Sequence, residues 1–426
     1  MALFPVPLAV SPISGAFAVP PSKSLHQRAL ALAVLAEGTT VIDADGDPAG
    51  DVARLAEALG LLAGRPVRPT GPVEGAFRAG GLGASRDSLR LDLGMNATGL
   101  RIATVLAGLR PLGARTLLSG RPRLLARPHG PLLRALEALG GHAHRRASGS
   151  IRVIACALSP RPVAMRGDAS SQFATALALA APRMGGLDLT LVGQGVSAPY
   201  LDMTLDMLRA FGVSARRLGN RIVVEAATPR AARVRVEPDA SSAAAWWAAA
   251  ALSGGEASVP GLAADSSQPD AALLAILSRM GATVGRTASG EALVTGPRGR
   301  LVAAGDVDLR DAPDLAPLVA ALAAGAEGET RVVGAAHLAW KESDRIASSV
   351  AAVRALGGDA EPREDVFVVR GRRLAGGTID VRGDHRLVLA FGVLGLTVAG
   401  ITLRGAGAVE KSYPGFTERL TEAAGG

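Results

Sequence analysis

The first residues suited to chemistry are Pro20-Pro21-Ser22-Lys23-Ser24, which are followed by Arg28 and by an apolar segment at 29–36. The prolines end whatever precedes them, and Ser22 or Ser24 can cap the helix that the apolar segment predicts. The first turn of such a helix has backbone N–H groups without helical partners, here beside an ammonium and a guanidinium. This composition favours binding of an oxyanion. A helix start whose basic side chains are solvated would have the same residues, so this stretch alone does not establish an anion-binding site.

Three other predicted helix starts carry polar groups of the same kind. Arg127-Pro128-His129-Gly130-Pro131 precedes an amphipathic run, and Asp168-Ala169-Ser170-Ser171-Gln172-Phe173 places two hydroxyls and an amide at a helix N-terminus. Ser197-Ala198-Pro199-Tyr200 adds a hydroxyl and a phenol. Hydroxyl and amide donors at a helix N-terminus can hold a phosphate without a cation. Ordinary capping explains each string as well when the string is considered alone.

The densest charged string is Trp340-Lys341-Glu342-Ser343-Asp344-Arg345. The spacing of its two cations, Lys341 and Arg345, predicts that they share one face of a helix. Three shorter strings carry further charges: Asp311-Ala312-Pro313-Asp314, Asp384-His385-Arg386 and Lys411-Ser412-Tyr413-Pro414. The ordinary alternatives are a surface salt-bridge ladder, helix caps at the aspartates and a solvated lysine.

The composition limits the class of protein. The chain has 426 residues, 46 Lys and Arg against 38 Asp and Glu, a formal net charge of +8 and only 3% aromatic residues. Because the basic residues are scattered and aromatic stacking platforms are scarce, this charge fits a small anionic substrate better than a nucleic acid. No apolar run reaches the length of a membrane span, so we expect no membrane association.

The single cysteine, Cys156, excludes an intrachain disulfide framework and a cysteine-rich metal site, and it suits a reducing cytoplasm. The histidine spacing does not support a metal site either, so we expect no metal. No glycine-rich phosphate-binding motif follows a predicted strand and opens a helix, which disfavours a nucleotide-binding fold.

A long internal repeat must position the candidate residues. Six polar clusters each precede an apolar, helix-like segment, and their markers are 71 to 75 residues apart: Lys23, Thr98, Ser170, Ser241, Asp314 and His385. A second set of amphipathic segments ends in an apolar residue and a glycine, which is the usual helix stop. These stops are Leu59-Gly60, Leu139-Gly140, Phe211-Gly212, Met280-Gly281 and Leu356-Gly357. The later ones precede β-like runs at 221–225, 292–294 and 366–369.

Each repeat therefore predicts the order strand, helix, strand, helix, strand, strand. The mixture of elements favours α/β layers over a sandwich or a bundle. A period of this length exceeds that of solenoid repeats, so we expect six small units grouped into globular domains.

Taken in order, these strings resemble the EPSP synthases, the 3-phosphoshikimate 1-carboxyvinyltransferases of the enolpyruvyl transferase family. The resemblance covers essentially the whole chain. It rests on Pro21-Ser22-Lys23-Ser24 with Arg28, Arg127-Pro128, Ser170-Ser171-Gln172-Phe173, Ser197 with Pro199-Tyr200, Asp314, Lys341-Glu342-Ser343-Asp344-Arg345, Asp384-His385-Arg386 and Lys411-Ser412-Tyr413-Pro414.

The resemblance implies an α/β fold with the two-domain, inside-out α/β barrel architecture of these transferases. Six repeated βαβαββ-type units, three per domain, would form it. The N-terminal strand of such enzymes belongs to the C-terminal domain, so the expected domains are 20–238 and 1–19 together with 239–426. A double hinge would join them, and they would close over the substrates.

The resemblance also implies the substrates and the residues that bind them. Shikimate 3-phosphate would be held by Lys23, Ser24, Arg28, Ser170, Ser171, Gln172, Ser197, Tyr200, Asp314, His337 and Lys341. Phosphoenolpyruvate would be held by Lys23, Ala97, Arg127, Gln172, Arg345, Arg386 and Lys411. The 5-hydroxyl of the acceptor would add to C2 of phosphoenolpyruvate while C3 is protonated, and phosphate would then leave. Asp314 would be the base, and Glu342 and Lys23 would deliver protons.

The expected enzyme is a cytoplasmic monomer that uses no cofactor and no metal and binds neither nucleic acid nor membrane. Two departures from the family pattern concern its substrates. Where much of the family has Asn-Ala-Gly-Thr, this chain has Met95-Asn96-Ala97-Thr98, and where many members have Asn it has His337. The resemblance places Ala97 in the pocket that the herbicide glyphosate shares with phosphoenolpyruvate, and Ala there is typical of glyphosate-tolerant members.

Three other interpretations stay open. The sister enzyme that acts on UDP-N-acetylglucosamine has a related fold, but it opens with a Lys-Asn string and generally uses a loop cysteine as acid. Here Ser24 follows Lys23, and Cys156 lies in a strand-like run. A paralogue of specialised metabolism with another acceptor would fit His337 and Met95. A non-catalytic anion-sensing or nucleic-acid-binding derivative is disfavoured, because Lys23, Asp314, Glu342 and Arg386 are all retained.

Overall fold

A computed structural model describes residues 2–334, 336–363 and 366–425. The chain forms two compact units. Unit 1 comprises Met1–Pro20 and Glu237–Gly426, and unit 2 comprises Pro21–Val236. Unit 2 is therefore continuous in sequence, whereas unit 1 is assembled from the two ends of the chain. Within unit 1, the N–H of Asp239 donates to the carbonyl of Pro20 at 2.9 Å, so the chain leaves this unit and returns to it at neighbouring points.

The strands are short. In chain order they are β1 (Leu3–Pro5), β2 (Ser14–Ala16), β3 (Thr39–Ala44), β4 (Gly71–Glu74), β5 (Phe77–Arg78), β6 (Gly81–Leu82), β7 (Leu89–Asp92), β8 (Arg115–Ser119), β9 (His142–Arg145), β10 (Ile151–Ile154), β11 (Pro162–Arg166), β12 (Leu187–Val192), β13 (Ala215–Leu218), β14 (Arg221–Val224), β15 (Arg233–Val236), β16 (Glu256–Ala263), β17 (Thr283–Arg286), β18 (Glu291–Thr295), β19 (Gly305–Asp308), β20 (Gly328–Val333), β21 (Asp359–Arg363), β22 (Val366–Gly371), β23 (Gly377–Asp380) and β24 (Ile401–Arg404).

The α-helices alternate with the strands. They are α1 (Lys23–Leu35), α2 (Gly50–Ala63), α3 (Ala97–Gly108), α4 (Pro122–Ala126), α5 (Gly130–Ala138), α6 (Gln172–Ala180), α7 (Ala198–Ala210), α8 (Ala240–Ser253), α9 (Leu273–Arg279), α10 (Ala316–Gly325), α11 (Arg345–Ala355), α12 (His385–Gly395) and α13 (Phe416–Ala423). Short 3₁₀ turns lie at Ala181–Met184, Pro269–Ala272, Pro313–Leu315, Ala336–Trp340 and Ala406–Lys411.

The sheets repeat one topology. Four of those within the described residues consist of a parallel pair followed by two antiparallel strands, in the orders β7-β8-β10-β9, β11-β12-β14-β13, β2-β16-β18-β17 and β19-β20-β22-β21. Two shorter sheets, β15-β3-β4 and β23-β24-β1, keep the parallel pair and one antiparallel strand. This arrangement confirms the predicted α/β fold of six repeated units, three in each compact unit.

The core of each unit is a group of three helices. In unit 2, α1, α3 and α6 pack against one another, and in unit 1, α8, α10 and α12 do the same. These helices begin at the six polar clusters of the repeat and are apolar on nearly every side, which is typical of a fully buried helix. In α8 the alanines and both tryptophans, Trp246 and Trp247, are at most 1% exposed. Their polar starts are thereby placed at one end of a buried helix group.

Four of the five predicted glycine stops are confirmed, since α5, α7, α9 and α11 end just before Gly140, Gly212, Gly281 and Gly357, all with positive φ. The stop at Gly60 is wrong, because α2 continues to Ala63 and ends at Gly64, whose φ is 71°. Gly60 is needed for another reason. A Cβ there would lie 3.1 Å from the carbonyl oxygen of Arg65, where the chain folds back over the helix.

Candidate active site

Lys23, the first residue of α1, contacts the next helix of unit 2. The side chain of Ser22 caps α1 by accepting from the N–H of Leu25 at 3.5 Å, which identifies Ser22, not Ser24, as the cap. Lys23 Nζ donates to Asp51 Oδ2 at 3.2 Å, and Asp51 lies in the first turn of α2. The carbonyl of Asp51 accepts from the side chain of Asn96 at 2.7 Å. Asp51 was missed by the sequence analysis, because nothing in its sequence surroundings singles it out.

Arg28 binds protein groups from three directions. Its Nε donates to Thr204 Oγ1 at 2.8 Å, its Nη1 to the Ser24 carbonyl at 2.6 Å and its Nη2 to the Tyr200 carbonyl at 2.8 Å. Burial lowers the pKa of the guanidinium to about 10. The structure therefore brings Arg28, Ser24 and Tyr200 together, with Arg28 joining α1 to α7.

The start of α3 carries Ala97. Asn96 caps this helix by accepting from the N–H of Gly99 at 2.7 Å, and Ala97 is its first residue, only 6% exposed. Four residues on, the buried Arg101 donates to Gln172 Oε1 and stacks over the ring of Phe173 at 4.6 Å from the centroid. Arg101 thus fixes one predicted site residue, Gln172, although the sequence analysis did not select it.

Arg127 is buried at the end of α4, and His129 is the residue that precedes the next helix, α5. Burial lowers the pKa of His129 to about 3, and the positive charges of Arg101, Arg127 and Arg145 add to this effect. His129 is therefore neutral at physiological pH in the folded protein. The region is strongly positive, as a site for an anionic ligand requires.

The serines of the helix starts lie at α6 and α7. Ser171 is the N-cap residue of α6 and is buried, and Ser170 Oγ accepts from the N–H of Gln172 at 3.3 Å. Ser197 precedes α7 with φ 57° and ψ 41°, a left-handed conformation that non-glycine residues rarely adopt. Strained backbone of this kind is concentrated at functional sites.

In unit 1, one buried guanidinium is surrounded by carboxylates. Arg345 is 1% exposed; its Nη1 donates to Asp314 Oδ1 at 2.6 Å, its Nη2 to Glu342 Oε2 at 3.1 Å and its Nε to Asp384 Oδ2 at 2.9 Å. These carboxylates raise its pKa well above the ordinary value despite burial. Arg345 is thus not part of the exposed salt-bridge ladder that its sequence also allowed.

Two further cations complete this group. Arg386 Nη2 donates to Asp314 Oδ2 at 2.8 Å, and Lys411 Nζ donates to Glu342 Oε1 at 3.1 Å. We call these residues the Arg345 cluster: Asp314, Glu342, Arg345, Asp384, Arg386 and Lys411. Three positive and three negative side chains make the cluster neutral overall, and each of its three cations, all predicted to bind phosphoenolpyruvate, is held by a carboxylate.

Asp314 lies in the 3₁₀ turn Pro313–Leu315 and does not cap a helix, so its ordinary interpretation is wrong. Burial would raise the pKa of Asp314, but Arg386, Arg345 and Lys341 outweigh burial and hold it well below the usual range. In this arrangement Asp314 is a weak base.

Lys341 does not share a helical face with Arg345. The helix α11 begins at Arg345 and is capped by Asp344, so Lys341 precedes it in irregular structure and the prediction was wrong. The Asp344 side chain accepts from the N–H of Ala347 and so fixes the start. His337 is buried in the turn Ala336–Trp340, where burial and then Lys341 lower its pKa to about 3.

Among residues 2–334, 336–363 and 366–425, no group of three or more His, Cys, Asp or Glu side chains could hold a metal ion. In the same part of the chain, no helix has the length and apolar character that crossing a membrane requires.

A family model described as EPSP synthase (3-phosphoshikimate 1-carboxyvinyltransferase) matches residues 8–420. The chain belongs to the EPSP synthase family. A 3-phosphoshikimate 1-carboxyvinyltransferase from Halobacterium salinarum is 40% identical over 429 residues, with 96% of this chain and 97% of the relative covered. One from Methanopyrus kandleri is 38% identical over 419 residues, covering 96% of this chain and 95% of the relative.

Solved structures agree with this EPSP synthase assignment. The fold matches that of an EPSP synthase from Acinetobacter baumannii with a TM-score of 0.79 and 26% identity, covering 99% of this chain and 98% of the other. The enolpyruvyl transferase NikO from Streptomyces tendae matches with a TM-score of 0.74 and 20% identity over 99% of this chain and 97% of the other, a likeness of fold alone. Both comparisons bear out the predicted two-domain enolpyruvyl transferase architecture.

Proposed function

We propose that this EPSP synthase family member transfers the enolpyruvyl group of phosphoenolpyruvate to the 5-hydroxyl of shikimate 3-phosphate. The products are 5-enolpyruvylshikimate 3-phosphate and phosphate. The observation that carries the mechanism is Asp314, a carboxylate held between the guanidinium groups of Arg345 and Arg386. A candidate base and two cations that suit an anionic co-substrate thus lie in direct contact.

The Arg345 cluster supports an exchange of anions on binding. Glu342 and Asp314 occupy Nη donors of Arg345, the positions that a phosphate or carboxylate of phosphoenolpyruvate would take. Asp384 accepts from Nε and also from Nη2 of Arg345, so it can hold the guanidinium while the other two carboxylates are displaced. Arg386 and Lys411 would bind the same substrate once their carboxylates are released.

This exchange would also turn Asp314 into a base. Its pKa is low because Arg386 and Arg345 stabilise its anionic form. When the negative groups of phosphoenolpyruvate neutralise those cations, the pKa of Asp314 should rise, and the carboxylate can accept the proton of the 5-hydroxyl. The base thus becomes active only when the co-substrate is present.

The bond changes follow from these roles. In the first step the C2–C3 π bond opens: the 5-oxygen bonds to C2 of phosphoenolpyruvate, the hydroxyl proton passes to Asp314, and C3 takes a proton from the Lys23 ammonium or from Glu342 in its protonated form. In the second step the same donor takes a proton back from C3, the double bond reforms, and phosphate leaves C2 with the proton that Asp314 returns. Protonation and proton loss balance over the cycle.

Shikimate 3-phosphate would be bound by the residues that the resemblance assigns to it. Those in unit 2 lie at the starts of α1, α6 and α7, where backbone N–H groups and helix dipoles favour a phosphate. Asp314, His337 and Lys341 would be their counterparts in unit 1. We propose that each compact unit acts as a domain of the enzyme, since residues for both substrates are assigned to both units.

The test is phosphate release from phosphoenolpyruvate by the purified chain, with shikimate 3-phosphate, unphosphorylated shikimate or UDP-N-acetylglucosamine as acceptor. We expect release only with shikimate 3-phosphate. Release with UDP-N-acetylglucosamine alone would favour the sister activity. Absence of release with all three would contradict the proposal and favour another acceptor, which the buried His337 would then be expected to contact.

We also propose that the enzyme works as a monomer in the cytoplasm. The lone cysteine supports a reducing compartment. Sedimentation equilibrium across a hundredfold range of concentration tests the oligomeric state, and a mass that rises towards twice the chain mass would contradict it.

A further inference from the structure

Asp270 is a buried carboxylate that the proposed mechanism does not use. It lies in the 3₁₀ turn Pro269–Ala272 and is 2% exposed. Its Oδ2 accepts from the hydroxyl of Ser241, at the start of α8. Its Oδ1 is also buried, and within the described residues no hydrogen-bond donor reaches it. A buried carboxylate oxygen without a donor is costly, so it calls for a partner in another state of the protein.

A matching donor lies on Arg386. This guanidinium is 6% exposed and binds Asp314 through Nη2, but its Nε is buried and lacks an acceptor in the part of the chain that the structure describes. Burial would lower the pKa of Arg386, and the negative charges of Asp314, Asp270 and Asp239 outweigh that effect and raise it. The negative charge of Asp270 therefore acts on Arg386.

The same charges act on Asp270. Burial and repulsion by Asp314 raise the pKa of its carboxyl to about 6, while Arg386 and the Ser241 hydroxyl oppose this rise and Asp239 adds to it. These groups face Asp270 from the start of α8, from the turn that carries Asp314 and from α12. An anionic Asp270 thus depends on Arg386.

Asp314 has two incompatible tasks in the proposed reaction. It holds Arg386 in the structure described here, yet as base it must turn an oxygen towards a substrate hydroxyl. When that oxygen leaves, an anionic group of phosphoenolpyruvate takes its place on Arg386, but the buried Nε still lacks an acceptor among the described residues. A protein carboxylate at Nε would keep the orientation of Arg386 while Asp314 is turned away.

We propose that Asp270 is a positioning residue that accepts from Nε of Arg386 when Asp314 leaves this guanidinium to act as base. Two buried groups, one acceptor and one donor, are satisfied together by this contact. Arg386 then keeps the orientation that binding of phosphoenolpyruvate requires. The inference rests on the proposed function and adds to it a residue without direct contact to the substrates.

The test compares Asp270→Asn with Asp265→Asn, an exposed aspartate five residues earlier whose ion-pair partner is 3.9 Å away. Asp270→Asn should raise KM for phosphoenolpyruvate by about tenfold or more, because a buried charge loses its partner. KM for shikimate 3-phosphate should change by less than about threefold, and Asp265→Asn should match the wild type in both. An Asp270→Asn variant with unchanged KM for phosphoenolpyruvate would overturn the inference.

A double-mutant cycle separates positioning from general damage to the fold. Arg386→Ala removes the group that Asp270 is proposed to hold, so adding Asp270→Asn to it should raise KM for phosphoenolpyruvate by less than about threefold further. Full additivity of the two changes would contradict the inference. Ser241→Ala, which removes the donor to Oδ2 but keeps the carboxylate, covers the case in which Asp270→Asn does not fold. It should raise KM for phosphoenolpyruvate alone by about threefold, and an unchanged KM would be contrary evidence.

Failure of the inference and failure of the proposed function give different results. If the wild-type chain releases no phosphate with shikimate 3-phosphate, the proposed function fails and the positioning role falls with it. If the wild type is active but the variants leave KM for phosphoenolpyruvate unchanged, only the role of Asp270 is rejected.

Discussion

The environment of Arg345 in the structure differs from the exposed helix face that its spacing from Lys341 predicts. A guanidinium four residues after a lysine is ordinary on a helix surface, where such pairs contribute about 0.3–0.5 kcal/mol. Here three carboxylates surround a guanidinium that is 1% exposed. Burying so many charges carries a desolvation penalty that favours their use in binding or catalysis over a role in stability.

Asp314 gives the first prediction at this scale. Asp314→Asn keeps the shape of the side chain but removes the base, so turnover should fall by about 10²–10⁴-fold. Binding of shikimate 3-phosphate, measured by calorimetry, should weaken by less than about tenfold, because a base acts mainly in the transition state. A variant with near wild-type phosphate release would refute the assignment of Asp314 as base.

Ala97 gives the second prediction at the scale of residues. It is the buried first residue of α3, and by resemblance its methyl group faces the phosphoenolpyruvate pocket, where glyphosate needs more room than the substrate. Overpacking of a close-packed site typically costs about 1–3 kcal/mol. We therefore expect a glyphosate-resistant enzyme in which Ala97→Gly lowers the inhibition constant by about tenfold or more. Equal inhibition constants for the two proteins, measured against phosphoenolpyruvate, would mean that Ala97 lies outside that pocket.

At the scale of elements, α8 contains an internal comparison. Trp246 Nε1 donates to the Tyr413 hydroxyl at 3.0 Å, this hydroxyl donates to the carbonyl of Ala18 at 3.0 Å, and the indole stacks on Phe17 at 4.2 Å. Its neighbour Trp247 is equally buried, but within the described residues its Nε1 has no acceptor. Trp246 thus joins the N-terminal segment to the core of unit 1.

We expect Trp246→Phe to destabilise unit 1 more than Trp247→Phe does. Both changes remove similar volume, but only the first breaks a satisfied hydrogen bond and reduces the area of an aromatic stack, which together cost about 1–2 kcal/mol. Urea unfolding of the two variants would measure this difference. The opposite order would mean that packing around Trp247 outweighs the contacts of Trp246.

The central helices were predictable because their signals are local. Caps such as Asn96, Asp239 and Asp384 precede apolar runs, and the repeat places each start. The pairing of β2 with β16 and of β15 with β3 was not predictable in this way, since the paired strands are more than 180 residues apart. Gly60 was misread as a helix stop because Leu59-Gly60 has the same sequence pattern as the true stops, whereas this glycine lies inside α2 and is closely approached by the backbone of Arg65.

The candidate site shows the same difference between local sequence signals and contacts distant in sequence. Residues at helix starts were selected from the sequence as members of polar clusters, and their proposed roles stay predictions. Three residues were not predicted from the sequence: Asp51, Arg101 and Asp270. Each can be recognised as part of the candidate site only through a contact with a residue distant in sequence, namely Lys23, Gln172 and Ser241 respectively. Sequence spacing alone does not reveal such contacts.

For the whole molecule, two buried histidines contribute to the dependence of stability on pH. Burial lowers the pKa of His129 and His337 to about 3 from the ordinary 6.5. Between these values the unfolded chain binds protons that the folded protein excludes, so stability decreases as the pH falls from 6.5 towards 3. Asp270 acts in the opposite direction between its ordinary pKa of 3.8 and about 6, because the folded protein then binds the proton more tightly.

His129→Gln should therefore flatten the acid side of the stability profile. Each excluded proton contributes about 1.4 kcal/mol per pH unit, so the slope of unfolding free energy between pH 4 and 6 should fall by about that amount. His142→Gln, at an exposed position in β9, is the control and should leave the slope unchanged. An unchanged slope for His129→Gln would show that this imidazole becomes protonated in the folded state.

The pairing of β1 with β24 also has a consequence for the order of folding during synthesis. Leu3 lies opposite Arg404. During synthesis the first strand of unit 1 therefore stays unpaired until about 400 further residues have been added. At typical rates of synthesis the wait lasts roughly 20–80 s, during which the continuous unit 2 can fold. An apolar segment left unpaired for so long is prone to wrong association. Pro5, Pro7 and Pro12, spread through that segment, lack the N–H groups that such mispairing would need.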